Sequence, residues 1–377
     1  MSIPFVDLAA QFQRLEAQIR ARMDQVLAHG KFILGPEVLE LEGRLAELAG
    51  VSHAVSCSSG TDALLLPLMA LDVGPGDAVF TTPFTFIATA EVVSVLRATP
   101  VFVDVDRSTF NIDPRSLRRA VERVKKEGRL RPRGIIPVDL FGLPAEYDEI
   151  NAIAAREGLF VVEDAAQSFG ATYRGRPAGG LADAGATSFF PAKPLGCYGD
   201  GGAVLTNDAG LAQLARTLRT HGTGASKYAY DRIGINGRLD TLQAAVLLAK
   251  LDVFAGEIRR RNEIAEAYND LLAGVVGTPN VPAHSTSAWA QYTIRAPDRN
   301  AIAESLQQHG VPTAIYYPSP LHLQPAFASL GHGPGDFPVA ESAASEVLSL
   351  PMHPYLSDSQ VTRIAGLVGE AVARCAS

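Results

Sequence analysis

Cysteine is scarce in this chain, with Cys57, Cys197 and Cys375 the only three in 377 residues. They are too few and too scattered for a disulfide framework, and no CxxC pair or Cys/His cluster has the spacing of a metal site. We therefore expect no metal ion and a reducing, cytoplasmic setting.

Long hydrophobic runs are also missing. The most apolar segment, ALLLPLMAL at 63–71, contains a proline and has about half the length that a membrane span needs. The first residues, MSIPFVDL, lack the basic start and apolar stretch of a signal peptide. These features predict a soluble protein with no membrane partner.

The chain has no surplus of positive charge. It carries 33 Lys and Arg against 40 Asp and Glu, a net charge of -7. A nucleic-acid partner is therefore not expected, because binding to phosphate backbones needs excess Lys and Arg. A local basic pocket for a phosphorylated small molecule stays open.

What the sequence does have is enough apolar material for a large core, at 47% of residues. Helical spacing at 11–28 and 36–49 precedes short strand patterns such as HAVSC, PVFVDVD and LFVVED that alternate with helices. This alternation predicts an α/β fold with a mostly parallel central sheet. After a long helix at 239–272 the composition changes, which predicts a large domain at 1–250 and a smaller C-terminal α/β domain at 251–377.

Three segments carry candidate chemistry. Asp164 ends an apolar strand pattern, and ligands of open α/β sheets bind beyond the carboxyl ends of the strands. A helix cap is an equally good interpretation of this acid alone. Lys193 lies in a loop with four glycines after an apolar strand, where partial burial would lower its pKa and make it a nucleophile, although most lysines are surface residues.

The third segment is Ser58-Ser59-Gly60-Thr61-Asp62, a turn of small residues that opens a helix. Free N–H groups at a helix start suit phosphate, although the same letters also serve as an ordinary N-cap. The absence of GxGxxG, GxxxxGK[ST] and GxSxG motifs weakens dinucleotide, P-loop and hydrolase interpretations. A phosphate cradle, an acid for a pyridinium nitrogen and a Schiff-base lysine together predict pyridoxal phosphate.

With these segments assembled, the chain resembles the DegT/DnrJ/EryC1/StrS family of nucleotide-sugar aminotransferases, which have the pyridoxal-phosphate-dependent transferase fold of type I. The motifs that carry the resemblance are GPEV, SSGTDAL, VEDAAQSFGA, the 188–202 segment and GINGRLDTLQAA. The resemblance places the Schiff-base lysine at Lys193, the pyridinium partner at Asp164 and the neighbour of the ring hydroxyl at Gln167. It also places the ring that stacks on the cofactor at Phe86. The phosphate contacts that it implies are Gly60, Thr61, Ser188 and, from the second subunit of a homodimer, Asn236.

The resemblance also implies a ping-pong transamination. L-Glutamate would give its amino group and leave as 2-oxoglutarate, and a nucleotide-linked keto sugar would receive that group, with Lys193 as the general base. A sister branch of the family that dehydrates sugars has His in place of the lysine, so the lysine favours transamination.

The substrate that the resemblance favours is UDP-2-acetamido-2-deoxy-3-oxo-D-glucuronate, used for bacterial surface polysaccharide such as lipopolysaccharide. The candidate substrate contacts are Arg238, Tyr316, Tyr317 and His322. The Tyr316-Tyr317 pair stands where those enzymes commonly have His-Tyr. A dTDP-3-keto-6-deoxyhexose is the alternative substrate, and a non-catalytic sensor and a nicotinamide-dependent oxidoreductase are alternatives of other classes.

Overall fold

A computed structural model describes residues 3–224, 226 and 228–375. Its strands are β1 His53–Cys57, β2 Asp77–Thr81, β3 Thr99–Phe102, β4 Arg131–Ile135, β5 Phe160–Asp164, β6 Thr172–Tyr173, β7 Arg176–Pro177, β8 Ala184–Ser188, β9 Gly202–Thr206, β10 Tyr292–Arg295 and β11 Val347–Leu350. Its α-helices are α1 Leu8–His29, α2 Pro36–Ala49, α3 Gly60–Ala70, α4 Ala88–Val95, α5 Pro114–Glu127, α6 Tyr147–Glu157, α7 Ala209–Leu218, α8 Thr241–Leu272, α9 Arg299–Gln308, α10 Pro338–Glu346 and α11 Asp358–Cys375.

The central sheet has seven strands in the order β1-β9-β8-β5-β4-β2-β3. Only β9 runs against its two neighbours, β1 and β8, while the other pairings are parallel. Buried apolar clusters cover both faces: α3, α4 and α7 pack on one face, and α5 and α6 on the other. This arrangement confirms the predicted α/β fold with a mostly parallel sheet, and it explains why β2 and β5 are buried along their whole length.

The helix ends follow their capping residues. Helix α2 spans the predicted residues 36–49, with Pro36 in its first turn and Gly50 in the left-handed conformation just after it. Helix α1 begins three residues before the prediction, because the Asp7 side chain accepts a hydrogen bond from the Ala10 N–H and caps the helix there.

The predicted domain boundary at 250/251 falls inside the continuous helix α8. The first half of α8, as far as Phe254, packs in a cluster with α2 and β9. Its second half, from Ile264, packs in a cluster with β10, β11, α9 and α11, which Ile3 also joins. The composition changes near residue 250 and the packing changes later along the helix, and the division into two domains at 250/251 stays a prediction.

No helix within the described ranges is both long enough and apolar enough to cross a membrane.

Candidate active site

Three chain segments meet at one edge of the central sheet. Strands β5 and β8 end there at Asp164 and Ser188, and α3 begins there at Gly60, shortly after the end of β1. Since β1, β5 and β8 are parallel to one another, their carboxyl ends share this edge, where ligands of such sheets bind. The predicted acid and anion cradle are thereby brought together.

Asp164 is buried at the end of β5. Its Oδ2 accepts a hydrogen bond from Thr89 Oγ1 at 2.8 Å, and its Oδ1 accepts from the Ala166 N–H at 3.3 Å. Burial raises the pKa of Asp164, whereas the Thr89 hydroxyl, the Ala166 N–H and the charge of Lys193 act to lower it. In the described chain no helix begins directly after Asp164, because the next element is strand β6, so the helix-cap interpretation is wrong.

Lys193 follows β8 in a tight turn. Its own N–H donates to the Phe190 carbonyl at 2.9 Å, and a Cβ on Gly196 would lie 2.5 Å from the Pro191 carbonyl oxygen. Burial lowers the pKa of Lys193, and the charge of Asp164 partly opposes that effect. The glycine-rich loop therefore gives the lysine the partly desolvated setting that the sequence predicted.

The start of α3 forms an anion cradle against the end of β8. A Cβ on Gly60 would lie 2.6 Å from Ser188 Cβ, so only glycine allows this close approach. Ser59 Oγ caps the helix by accepting from the Asp62 N–H at 3.0 Å. The N–H groups of Gly60 and Thr61 have no acceptor among the described residues. These two donors and the Ser188 hydroxyl fit a phosphate group.

Gln167 is held from two sides. Its Oε1 accepts from the Phe141 N–H at 2.7 Å, and its Nε2 donates to the Tyr317 hydroxyl at 3.3 Å. These bonds fix which way the amide points, and the Nε2 atom keeps a second hydrogen for a ligand. Phe141 lies in a 3-10 turn, Leu140–Gly142, that no sequence motif indicated.

A buried pair of carboxyls lies behind this turn. Asp139 accepts from the Tyr147 hydroxyl at 2.8 Å and from the Ser168 hydroxyl at 2.7 Å, and it also hydrogen-bonds to Glu163. Burial raises the pKa of Asp139 to about 6, and burial together with the charge of Asp139 raises the pKa of Glu163 well above its usual value. The pair anchors the chain on both sides of Asp164.

Exposed aromatic rings border the edge. Phe86 is 55% exposed, and its ring centroid lies 6.4 Å from that of Tyr317. The ring centroid of Tyr316 lies 5.9 Å from that of Tyr317. An exposed phenyl ring beside Gln167 and Asp164 suits stacking on a planar ligand. The sequence did not single out Phe190, whose side chain is also exposed at 53%.

Arg238 and Asn236 follow the exposed 228–235 segment. Buried Nε of Arg238 has no hydrogen-bond partner among the described residues. Asn236 is exposed, and only its backbone pairs, with Thr220. Both side chains therefore have unused hydrogen-bonding capacity within one chain.

His322 is the predicted contact that the structure places elsewhere. Its side chain has no exposed surface; its Nε2 lies 3.0 Å from Glu341 Oε1, and its ring packs on Phe337. The residue lies in a 3-10 turn, Leu321–Leu323, that directs the ring into the core. His322 is thus a core residue, and the prediction of a substrate contact is corrected.

Across the described part of the chain, no three His, Cys, Asp or Glu side chains are grouped to hold a metal ion. The half-buried Lys193, the buried Asp164, the paired amide of Gln167 and the cradle at Gly60 fit pyridoxal phosphate instead. Fold and site together define a pyridoxal-phosphate-dependent transferase.

The chain belongs to the DegT/DnrJ/EryC1/StrS aminotransferase family, whose profile matches residues 13–369. It is 49% identical, over 95% of its length and 97% of the relative's, to a UDP-2-acetamido-2-deoxy-3-oxo-D-glucuronate aminotransferase of Pseudomonas aeruginosa. It is 43% identical, over 97% of both chains, to a UDP-N-acetyl-3-dehydro-alpha-D-glucosamine 3-aminotransferase of Acidithiobacillus ferrooxidans.

Solved structures agree with this assignment. A DegT DnrJ EryC1 StrS aminotransferase from Brucella abortus superimposes with a TM-score of 0.95 at 52% identity, covering 97% of this chain and 98% of the other. NtdA from Bacillus subtilis, with bound cofactor PMP, superimposes with a TM-score of 0.89 at 29% identity, covering 99% of this chain and 85% of the other. The predicted fold type, aminotransferase class and pyridoxal phosphate cofactor are confirmed.

Proposed function

We propose that this aminotransferase transfers the amino group of L-glutamate to C3 of UDP-2-acetamido-2-deoxy-3-oxo-D-glucuronate, in the cytoplasm and as a homodimer. The observation that carries the proposal is the 49% identity, over nearly the whole of both chains, to a relative named for this sugar. The product would serve surface polysaccharide such as lipopolysaccharide.

When bound, pyridoxal phosphate would supply the electron sink that stabilises negative charge at the donor's Cα. Lys193 Nζ would take the proton from that Cα and deliver it to C4′ of the cofactor, and its lowered pKa makes the free amine available. The Asp164 carboxylate holds the proton of the ring nitrogen. Gln167 Nε2 donates toward the ring hydroxyl, and the Gly60 and Thr61 N–H groups bind the phosphate.

The sugar is recognised on the open side of the site. The Arg238 guanidinium, with its Nε unpartnered, is the group that binds the uronate carboxylate. Tyr317 lies beside Phe86 and Tyr316 lies beside Tyr317, and both offer hydroxyl groups to the sugar and the diphosphate. This assignment explains a preference for an acidic sugar without a positively charged residue at position 316.

Exposed surface near the site supports the homodimer. The Asn236 side chain has no hydrogen-bond partner among the described residues, so it is available to complete the partner's phosphate site. Large apolar side chains are exposed in two regions. Phe32 and Ile33 precede α2 and Leu39 lies on it, and Tyr230 and Ile233 lie in the segment that leads to Asn236. An apolar surface of this kind marks a protein interface.

A substrate screen tests the proposed sugar. The enzyme is converted to its pyridoxamine form with glutamate and mixed with UDP-linked 3-oxo sugars that carry or lack the uronate carboxylate, and with a dTDP-3-keto-6-deoxyhexose. We expect the absorbance of the pyridoxal form to return fastest with the uronate. Arg238→Met should remove most of that preference and leave the reaction with glutamate unchanged. If that absorbance returns only with the dTDP sugar, the proposal is contradicted. If glutamate bleaches the cofactor but no keto sugar yields an amino sugar, the non-catalytic sensor is favoured.

Mixing two inactive variants tests the shared site. Lys193→Ala and Asn236→Ala are purified separately, unfolded, and refolded together. In a hybrid dimer one site combines Lys193 and Asn236 from different chains, so random pairing should restore about one quarter of wild-type activity. Each variant refolded alone is the control, and a mixture no more active than the two controls shows that Asn236 does not act across the interface.

A further inference from the structure

Two threonines at the start of α4 lie against the candidate site without a role in the proposed chemistry. Thr89 is 1% exposed and Thr85 is 2% exposed, so neither hydroxyl can be satisfied by solvent. Thr85 Oγ1 lies 3.1 Å from Thr89 Oγ1, and Thr89 Oγ1 lies 2.8 Å from Asp164 Oδ2. A buried hydroxyl needs a partner, and these two find theirs in a line that ends at the carboxylate.

We infer that Thr85 and Thr89 form a directed hydroxyl chain that holds the Asp164 carboxylate ionised and in position for the cofactor's ring nitrogen. This inference rests on the proposed role of Asp164. Thr89 and Thr85 act through Asp164 and are therefore positioning residues.

The direction of the chain follows from the number of hydrogens. The Thr89 hydroxyl has one hydrogen and three acceptors within reach: Asp164 Oδ2 at 2.8 Å, Thr85 Oγ1 at 3.1 Å and the Phe86 carbonyl at 3.3 Å. It donates to the carboxylate, which is closer and charged, and such charge-assisted bonds are the stronger ones. The Thr85 hydroxyl then donates to the free lone pair of Thr89 Oγ1, which strengthens the next bond by polarisation.

The other ionisable groups around Asp164 do not stabilise its ionised form during the proposed reaction. Lys193 is the cation that acts on the carboxylate, but the proposed reaction requires it in its free-base form. Tyr147 and Tyr317 lie near on other elements, and burial keeps both phenols neutral by raising their pKa. Glu163 and Asp139 hydrogen-bond to each other, and neither is among the groups that act on the pKa of Asp164. Of the groups that favour the ionised form, the Thr89 hydroxyl has the largest effect.

The same turn of chain also carries the stacking ring. Phe86 stands between the two threonines, and the Thr89 N–H donates to the Phe86 carbonyl at 3.3 Å. One helix start thus fixes both the ring that covers the cofactor's face and the hydroxyl that holds the acid at its ring nitrogen. The spacing Thr-Phe-x-x-Thr puts both hydroxyls on one face, four residues apart.

The test uses the holoenzyme and two variants of Thr89. Thr89→Val keeps the shape and removes the hydroxyl, whereas Thr89→Ser keeps the hydroxyl. With the cofactor labelled with 15N in its ring, wild type and Thr89→Ser should show a protonated nitrogen, and Thr89→Val should shift toward the neutral form. Cofactor affinity of the Val variant should fall about tenfold, the effect of losing one hydrogen bond to a charged group.

The pH dependence of cofactor binding shows in which direction the pKa of Asp164 moves. Without its donor, Asp164 has a higher pKa in the cofactor-free chain, so Thr89→Val should lose cofactor binding at a higher pH than wild type as the pH falls. Thr85→Val removes only the distal bond and should shift both readouts the same way by less; it also provides the test if Thr89→Val does not fold.

The outcomes separate this inference from the function on which it rests. If Asp164→Asn changes the nitrogen signal but Thr89→Val and Thr85→Val do not, the hydroxyl chain is refuted and the role of Asp164 stands. If Asp164→Asn leaves the signal at its wild-type position, the proposed role of Asp164 fails as well. A Thr89→Ser enzyme that behaves like Thr89→Val also overturns the inference, because the hydroxyl would then not be the cause.

Discussion

Replacing Lys193 by Ala should lower the rate of amino transfer by about 10³-fold or more, because the variant lacks the base that moves the proton. In wild type, borohydride should fix the cofactor to the peptide that contains Lys193, and in the variant it should fix none. Peptide mapping by mass spectrometry makes the measurement. The phosphate cradle at Gly60 is unchanged in the variant, so weak non-covalent cofactor binding should remain.

Lys250 provides the matched control for this prediction. It is a fully buried lysine, and burial lowers its pKa to about 8, but its Nζ donates to the Gly196 carbonyl at 2.6 Å and lies 4.3 Å from the centroid of the Tyr198 ring. Because the Lys250 amine already makes these contacts, borohydride should not fix the cofactor to it. In Lys250→Met the cofactor should still be fixed to Lys193. A label that stays in Lys193→Ala, on any other lysine, contradicts the assignment of the catalytic residue.

Replacing Arg219 by Met should destabilise the protein by about 3–5 kcal/mol, the cost of leaving one charge of a buried pair without its partner. Arg219 Nη1 lies 2.7 Å from Glu42 Oε1 and donates to the Ser56 carbonyl at 2.6 Å, and both charged side chains are buried. Denaturant unfolding at a fixed protein concentration measures the free energy of unfolding, since the stability of the proposed dimer would depend on concentration.

The control for this stability prediction is an exposed ion pair. Arg20 and Glu16 on α1 are 2.8 Å apart and largely exposed, so Arg20→Met should cost less than about 0.5 kcal/mol. The double variant Arg219→Met/Glu42→Leu removes both charges and should recover much of the lost stability. If Arg219→Met costs no more than Arg20→Met, the buried pair does not stabilise the fold.

Local signals predicted most of the elements. The strand patterns, the bounds of α2 and the long helix α8 follow from apolar periodicity, proline in a first turn and glycine after a last turn. The apolar stretch GIIPVDLFG at 134–142 also predicts a strand, but β4 ends at Ile135 and Leu140–Gly142 forms a 3-10 turn. Pro137 lacks an N–H and interrupts the ladder, which resumes only as a single bridge between Val138 and Asp164.

The site residues divide in the same way. Lys193, Asp164 and the turn at Gly60 stand in motifs whose letters already indicate their chemistry. Thr89, Phe141 and Lys250 do not, because each acts on a residue far away in the chain: Thr89 on Asp164, Phe141 on Gln167, and Lys250 on the Lys193 loop. His322 failed as a prediction for the related reason that a histidine in a loop motif does not reveal which way its ring points.

The sequence by itself determined the class of chemistry, because a lysine in a glycine-rich loop, an acid at a strand end and a small-residue helix start are each local patterns. Tertiary structure alone decided which hydrogen bonds keep the acid ionised, which groups fix Gln167, and where the core passes from one half of α8 to the other. The hydrogen bonds to Gln167 and Asp164 join residues 26, 75 and 150 positions apart, and no local pattern records such pairs.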